Sequence, residues 1–170
     1  DEALKVVNDD PDLRLSFLSM SSGVLLGLYS LFHYLTGGKF LDKVREYAKT
    51  VADEEEPSSI ELTLADRILK DASEKPVCSR AINEVQKGLV RDLGLNESET
   101  SDLIYTFLIT RPGTIALLSL GRLFSGLEVV KELARCLAEH RRGAVAELLR
   151  KVSEAGNEEE FKDVLVRLAM

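Results

Sequence analysis

The 170-residue chain is the size of one domain, and a single helical domain over residues 1–170 is expected. With 45% apolar and 30% charged residues, 11 Gly and 4 Pro, it is not a disordered tail, a collagen-like rod or a low-complexity linker. A net charge of −7 opposes a surface coated all round by nucleic acid, and two cysteines are too few for a disulfide-stapled secreted scaffold.

Asp10-Pro11 is a good N-cap and first-turn pair, and it predicts a helix running from there to about Leu35, stopped by Gly37-Gly38. From Ser16 to Gly38 there is no Asp, Glu, Lys or Arg, a run long enough to cross a bilayer. A membrane is nevertheless not expected as a partner. Several serines, His33 and Thr36 would need hydrogen-bond partners in lipid, and the acidic start lacks the basic region of a signal peptide. The expectation is the core helix of a bundle, with Gly23 and Gly27 giving a G-x-x-x-G spacing for close packing. Because the chain opens at Asp1 rather than Met, a missing N-terminal piece is also an expectation.

Phe40, Leu41, Val44, Tyr47, Ala48 and Val51 repeat with helical spacing up to the acidic run Asp53–Glu56 and Pro57, an exposed, frayed end. Ser58 with Glu61 resembles a capping box for a short helix through Leu69. Pro76 opens the next helix, with Val77, Ala81, Ile82, Val85, Leu89 and Leu93 apolar and Gly94 closing it. Asn96 and Glu99 form a second capping box ahead of Leu103, Ile104, Phe107 and Leu108. Arg111-Pro112-Gly113 is read as a break before an apolar helix over Thr114–Phe124. Leu127–Leu137, Val145–Val152 and Phe161–Leu168 are the last periodic stretches, with Gly143 and Gly156 at the breaks and Asn157 capping the final helix. No segment alternates with a period of two. The fold class is therefore all-α, a compact bundle of about seven or eight helices around two apolar ones.

Catalytic residues: none are identified. His33 sits between Phe32 and Tyr34 and reads as a packed histidine with one hydrogen-bond partner. Neither His33 nor His140 has zinc-ligand spacing to another donor, Cys78 and Cys136 lie far apart in sequence, and no phosphate-binding glycine motif occurs. No metal, no cofactor and no enzymatic activity are expected, and both thiols are expected to be reduced and buried in a cytoplasmic protein. Residues 89–108 have a helix-turn-helix outline, but the second helix opens with Glu97, Glu99 and Asp102 and no cation, so phosphate would be repelled.

Charge is unevenly spread. Between Arg111 and Lys151 eight basic residues face four acids, a local net charge of +4 that leaves −11 for the rest of the chain. Arg122, Arg135, His140, Arg141, Arg142, Arg150 and Lys151 are the candidate contacts to nucleic acid or a neighbouring subunit. Arg135 and Arg142 are two turns apart and would share a face if Gly143 left the helix unbroken. Exchange of Arg141 and Arg142 for glutamate is expected to weaken such contacts without unfolding the domain. The competing account is that these cations merely offset Glu128, Glu132, Glu139 and Glu147 in the same helices.

The segment Leu31-Phe32-His33-Tyr34-Leu35-Thr36-Gly37-Gly38, continuing as Phe40-Leu41-Asp42-Lys43-Val44, together with the helical layout, resembles the small subunit of archaeal type I-A CRISPR effector complexes. The likeness covers mainly the first 50 residues and carries over no functional residue. It implies a non-catalytic subunit of an RNA-guided surveillance complex, packed beside other protein subunits and lining the path of RNA or single-stranded DNA. A helical adaptor or regulator, binding a partner helix in an apolar groove without nucleic acid, is the alternative.

Overall fold

A computed structural model describes residues 21–54 and 59–170. Among them are nine α-helices and no strand: α1 (Ser22–Leu35), α2 (Leu41–Glu54), α3 (Ser59–Ser73), α4 (Pro76–Leu93), α5 (Glu97–Ile109), α6 (Arg111–Phe124), α7 (Leu127–Ala138), α8 (Gly143–Glu154) and α9 (Glu158–Ala169). The expected all-α bundle is present, with one or two more helices than anticipated. The Asp10-Pro11 start, the end of the acidic run and the Ser58 cap lie outside the described residues.

The first helix differs from expectation at its start. Ser21 is extended, its hydroxyl accepts the Val24 N–H at 3.3 Å, and α1 begins at Ser22. Serine satisfies an orphan N–H better at a cap than it packs in a helix interior. The result is a helix of 14 residues, about 21 Å at 1.5 Å per residue and short of a bilayer core of about 30 Å. Among the described residues no single helix is long and apolar enough to cross a membrane, and α5 and α6, apolar together, turn by 114° at their junction.

Two helices form the centre. On α1, Leu25, Leu26, Tyr29, Ser30, Leu31, His33 and Tyr34 are buried, and on α6 every residue from Gly113 to Gly121 is. Gly27 lets them touch: a Cβ there would come within 2.7 Å of the Pro112 carbonyl oxygen. Helix α2, with Val44, Ala48 and Val51 buried, packs on α1, where Tyr29 meets the rings of Tyr47 and of Phe40 in the turn before α2; α7 packs against α4 and α8, and α9 closes over α8, α6 and α1.

The α1–α2 turn is fixed by a histidine. Gly37 and Gly38 have φ of 72° and 103°, which only glycine adopts cheaply. They return the chain so that the Phe40 N–H donates to His33 Nδ1 at 3.0 Å, as the packed-histidine expectation required. His33 is buried, and burial lowers its pKa from the ordinary 6.5. Protonation would also place a proton where Phe40 donates. Because the folded-state pKa lies below the unfolded one, the native chain is expected to be fully stable above pH 6.5. It should lose stability as the pH falls below that value, until the folded-state pKa is passed. His33→Asn, which keeps an acceptor but does not titrate, should flatten that part of the curve in denaturant titrations between pH 7.5 and 5.5. A slope identical to wild type would show that His33 does not set it.

Arg111-Pro112-Gly113 does not break a helix. Thr110 is the N-cap of α6, its hydroxyl accepting the Gly113 N–H at 2.9 Å, and Pro112 lies in the first turn. Proline costs nothing there, because the N–H it lacks has no partner at a helix start. The chain turns at Thr110 instead.

Candidate interaction surface

The cationic region is built on α7 and α8. Helix α7 buries Val130, Leu133, Ala134 and Leu137 and ends at Ala138, so Arg135 and Arg142 do not lie on one continuous helix. Gly143 then enters α8 with φ of 66°. Helix α8 buries Ala146, Leu149 and Val152 and turns Glu147, Arg150 and Lys151 outward.

The seven candidate residues separate into two groups. Arg122, Arg141 and His140 are tied into the fold. Arg122 Nη2 and Nε donate to Glu158 Oε1 at 2.6 and 2.8 Å, and its Nη1 donates to the Ser125 carbonyl at 3.0 Å. The Tyr34 hydroxyl donates to the same Glu158 carboxylate. Burial alone would raise the Glu158 pKa, but the hydrogen bonds from Arg122 and Tyr34 outweigh it and hold the carboxyl below its ordinary range. Burial, reinforced by the Glu158 bond, drives the Tyr34 hydroxyl the other way, well above its ordinary value.

Arg141 donates to the carbonyls of Leu108 and Ile109 and to Thr114 Oγ1, and burial lowers its pKa. The expectation that Arg141 can be reversed in charge without harming the fold is therefore corrected: its guanidinium is a cap on α5. His140 Nε2 lies 3.3 Å from Asp71 Oδ2, with its side chain 14% exposed.

The remaining four are exposed. Arg135 pairs with Glu132, and Lys131 with Glu128 at 3.4 Å, both at i,i+3. Within α7 the cations thus do offset their own acids. On and beside α8 they do not: among the described residues no acid lies within ion-pair distance of Arg142, Arg150 or Lys151, although Glu147 is on the same helix. Among the described residues Lys39, Lys49, Arg67, Lys70, Arg80 and Lys87 are also exposed and without an ion pair, so the distinctive feature here is density: three such cations fall within ten residues.

A second surface feature lies at the turn between α4 and α5. An open groove of about 530 Å³ is lined by Gln86, Lys87, Val90, Leu95, Thr100 and Ser101, with Val90 half exposed. Val90 falls off the Ile82–Val85–Leu89 stripe, and nothing in the sequence pattern marks it as a surface valine. The acids that open α5 are explained locally. Asn96 Oδ1 accepts the Glu99 N–H at 2.8 Å and Glu99 Oε1 accepts the Asn96 N–H at 3.1 Å, a complete capping box at the positive end of the helix dipole.

The cysteines are buried, as expected, but they are not reduced. Cys78 of α4 and Cys136 of α7 form a disulfide with Cα atoms 6.4 Å apart, and the described residues contain no free thiol. Packing of α4 on α7 brings together residues that are 58 positions apart in sequence. Among the described residues no group of three or more His, Cys, Asp or Glu could hold a metal ion.

Comparison of the chain with protein-family models, with curated proteins and with solved structures finds no match in any of the three.

Proposed function

We propose that this chain is a non-catalytic helical subunit of a larger assembly, and that it meets a polyanionic partner through Arg142, Arg150 and Lys151. The clustering of three unpaired cations within ten residues carries the proposal. An exposed cation whose own helix offers an unused acid is available to phosphates or to an acidic neighbour. The interior supports a structural role: its polar side chains cap helices and link them, as His33, Arg141 and the Arg122–Glu158–Tyr34 group do. The resemblance of residues 31–44 gives the specific form. The assembly is an RNA-guided CRISPR surveillance complex of type I-A, and the partners are its protein subunits and RNA or single-stranded DNA.

The test is a triple charge reversal, Arg142→Glu, Arg150→Glu and Lys151→Glu, in gel shifts with single-stranded RNA and DNA and in co-purification. Binding should weaken by at least about tenfold, and the salt dependence should flatten, since each lost phosphate contact removes about 0.7 from the log–log slope for single strands. The thermal melt should stay within about 2 °C, as surface changes usually cost little. Unchanged binding and unchanged co-purification would overturn the proposal.

The α4–α5 groove favours the adaptor alternative. Val90→Glu would then abolish capture of a helical partner while the triple reversal left it intact.

A further inference from the structure

We infer that the α8 cations meet nucleic acid through its phosphate backbone alone, and so hold a duplex more tightly than a single strand. The inference rests on the α8 contact proposed above and specifies the form of its partner. Proteins that grip unpaired strands do so with aromatic rings on which successive bases stack. Each stacked base multiplies affinity by about 5- to 140-fold. The chain has six Phe, four Tyr and no Trp, and all but Phe17 lie among the described residues. None of those rings is exposed.

The partly covered rings are occupied within the fold. Tyr47 stacks on Tyr29 with centroids 5.4 Å apart, and Phe32 meets Tyr29 edge-on at 6.3 Å. The Phe124 ring fills the space where a Cβ at Gly88 would stand. The Tyr105 hydroxyl donates to Asp66 at 3.0 Å, which sets a phosphate-repelling carboxylate at its edge. Around the cations themselves nothing compensates. Residues 127–154, which hold α7, α8 and the turn between them, contain no Phe, Tyr, Trp, Asn, Gln or Thr. Their one serine, Ser153, is buried and donates to the Arg150 carbonyl at 2.6 Å, and His140 is held by Asp71. Arg142, Arg150 and Lys151 can therefore neutralise phosphates, with no ring beside them to stack a base and no amide to pair with adenine.

Such a surface gains from charge density. Each phosphate contact releases about 0.9 of a counterion from a DNA duplex and about 0.7 from a single strand. For three contacts and equal affinity at 1 M salt, the difference favours the duplex by about fourfold at 0.1 M.

The test is an anisotropy titration of the full chain at about 0.1 M salt, with probes of about 20 nucleotides or base pairs. The probes are a mixed-sequence DNA duplex, each of its separated strands, oligo-dT and oligo-dA. The duplex should bind about fourfold more tightly than either of its strands, and oligo-dT and oligo-dA should agree within about fivefold. A strand that bound as tightly as the duplex, or homopolymers that differed by more, would overturn the inference, because either result requires contacts to bases. Capture of an acidic protein with no binding to any oligonucleotide would overturn it too, yet leave the α8 contact standing. Duplex binding that survived the Arg142, Arg150 and Lys151 reversals would instead remove the α8 contact, and the inference with it.

Discussion

Replacing Arg141 by alanine is expected to destabilise the fold by about 3 kcal/mol, because hydrogen bonds to a charged group contribute about 1.5–3 kcal/mol and here several are lost together. At this chain length that corresponds to a drop in Tm of roughly 6–12 °C. The reason lies in the 114° turn between α5 and α6. The last four carbonyls of a helix have no partner within it, and those of α5 are reached from outside. Thr110 takes Thr106 through its N–H at 3.1 Å and its hydroxyl at 2.9 Å, and the Thr114 hydroxyl lies 3.2 Å from the Phe107 carbonyl, which competes for its one proton with the Thr110 carbonyl at 2.8 Å. Leu108 and Ile109 are left to Arg141. Without the guanidinium two carbonyls at the bend lose their donor, and the negative end of the α5 dipole loses its cation.

Arg141→Lys should recover only part of the loss, since one ammonium cannot span two carbonyls as a planar fork does. Calorimetric melting of the two variants checks this. A loss under about 1 kcal/mol for Arg141→Ala would place the group among ordinary surface arginines. The folded fraction of Arg141→Ala should bind any polyanion as wild type does, the reverse of the behaviour expected for the Arg142, Arg150 and Lys151 reversals.

Among the described residues Arg141 is one of three arginines used in this way. Arg45 donates through Nε and Nη2 to the Asp92 carbonyl at the end of α4, at 3.0 and 2.8 Å, and Arg111 donates to the Leu168 carbonyl near the end of α9 at 2.9 Å. Each serves the C-terminus of a helix far away in sequence. In the sequence all three look like solvated cations, because the carbonyl that recruits them is a backbone atom of another segment and leaves no mark near the arginine. Local devices were legible. The Asn96–Glu99 box, the left-handed Gly94 (φ 65°), the Asn157 cap and the stripes of apolar residues at helical spacing are written in neighbouring positions and recur in the structure. Long-range features were hidden for the same reason as the arginine caps: the partner of Cys78 is set by how α4 lies on α7, not by spacing. Arg111-Pro112-Gly113 misled in a third way. The same residues can stop one helix or start the next, and only Thr110, a better N-cap than an arginine, decides between them. At the candidate site, composition revealed the excess of cations but not which were free. That depended on Glu128 and Glu132 being spent inside α7 while Glu147 was not.

Truncation of Phe161 to alanine should cost about 4 kcal/mol, within the range for deleting a fully buried aromatic ring. Phe161 is the first large apolar residue of α9 and is 0% exposed. Its ring lies edge-to-face with Tyr34, centroids 5.7 Å apart and planes at 81°, an arrangement with its own attraction beyond area burial. Tyr34 in turn donates to Glu158, which Arg122 of α6 holds, so one ring supports the joint at which α1, α6 and α9 meet. Phe161→Leu keeps most of the volume and should lose less than about 1.5 kcal/mol, which separates filling the site from the ring geometry.

The joint also carries a pH signature. The Glu158 carboxyl titrates below its ordinary 4.5 when folded. Its contribution is therefore complete above that pH and is lost as the pH falls through the lower folded-state value. In Phe161→Ala, Tyr34 loses the neighbour that holds its hydroxyl against Glu158, so this acid-side decline should be shallower than in wild type, measured by denaturant titration from pH 6 to 3. A variant that lost stability but kept the full acid dependence would mean that Phe161 only fills space and that Tyr34 is held by its other contacts.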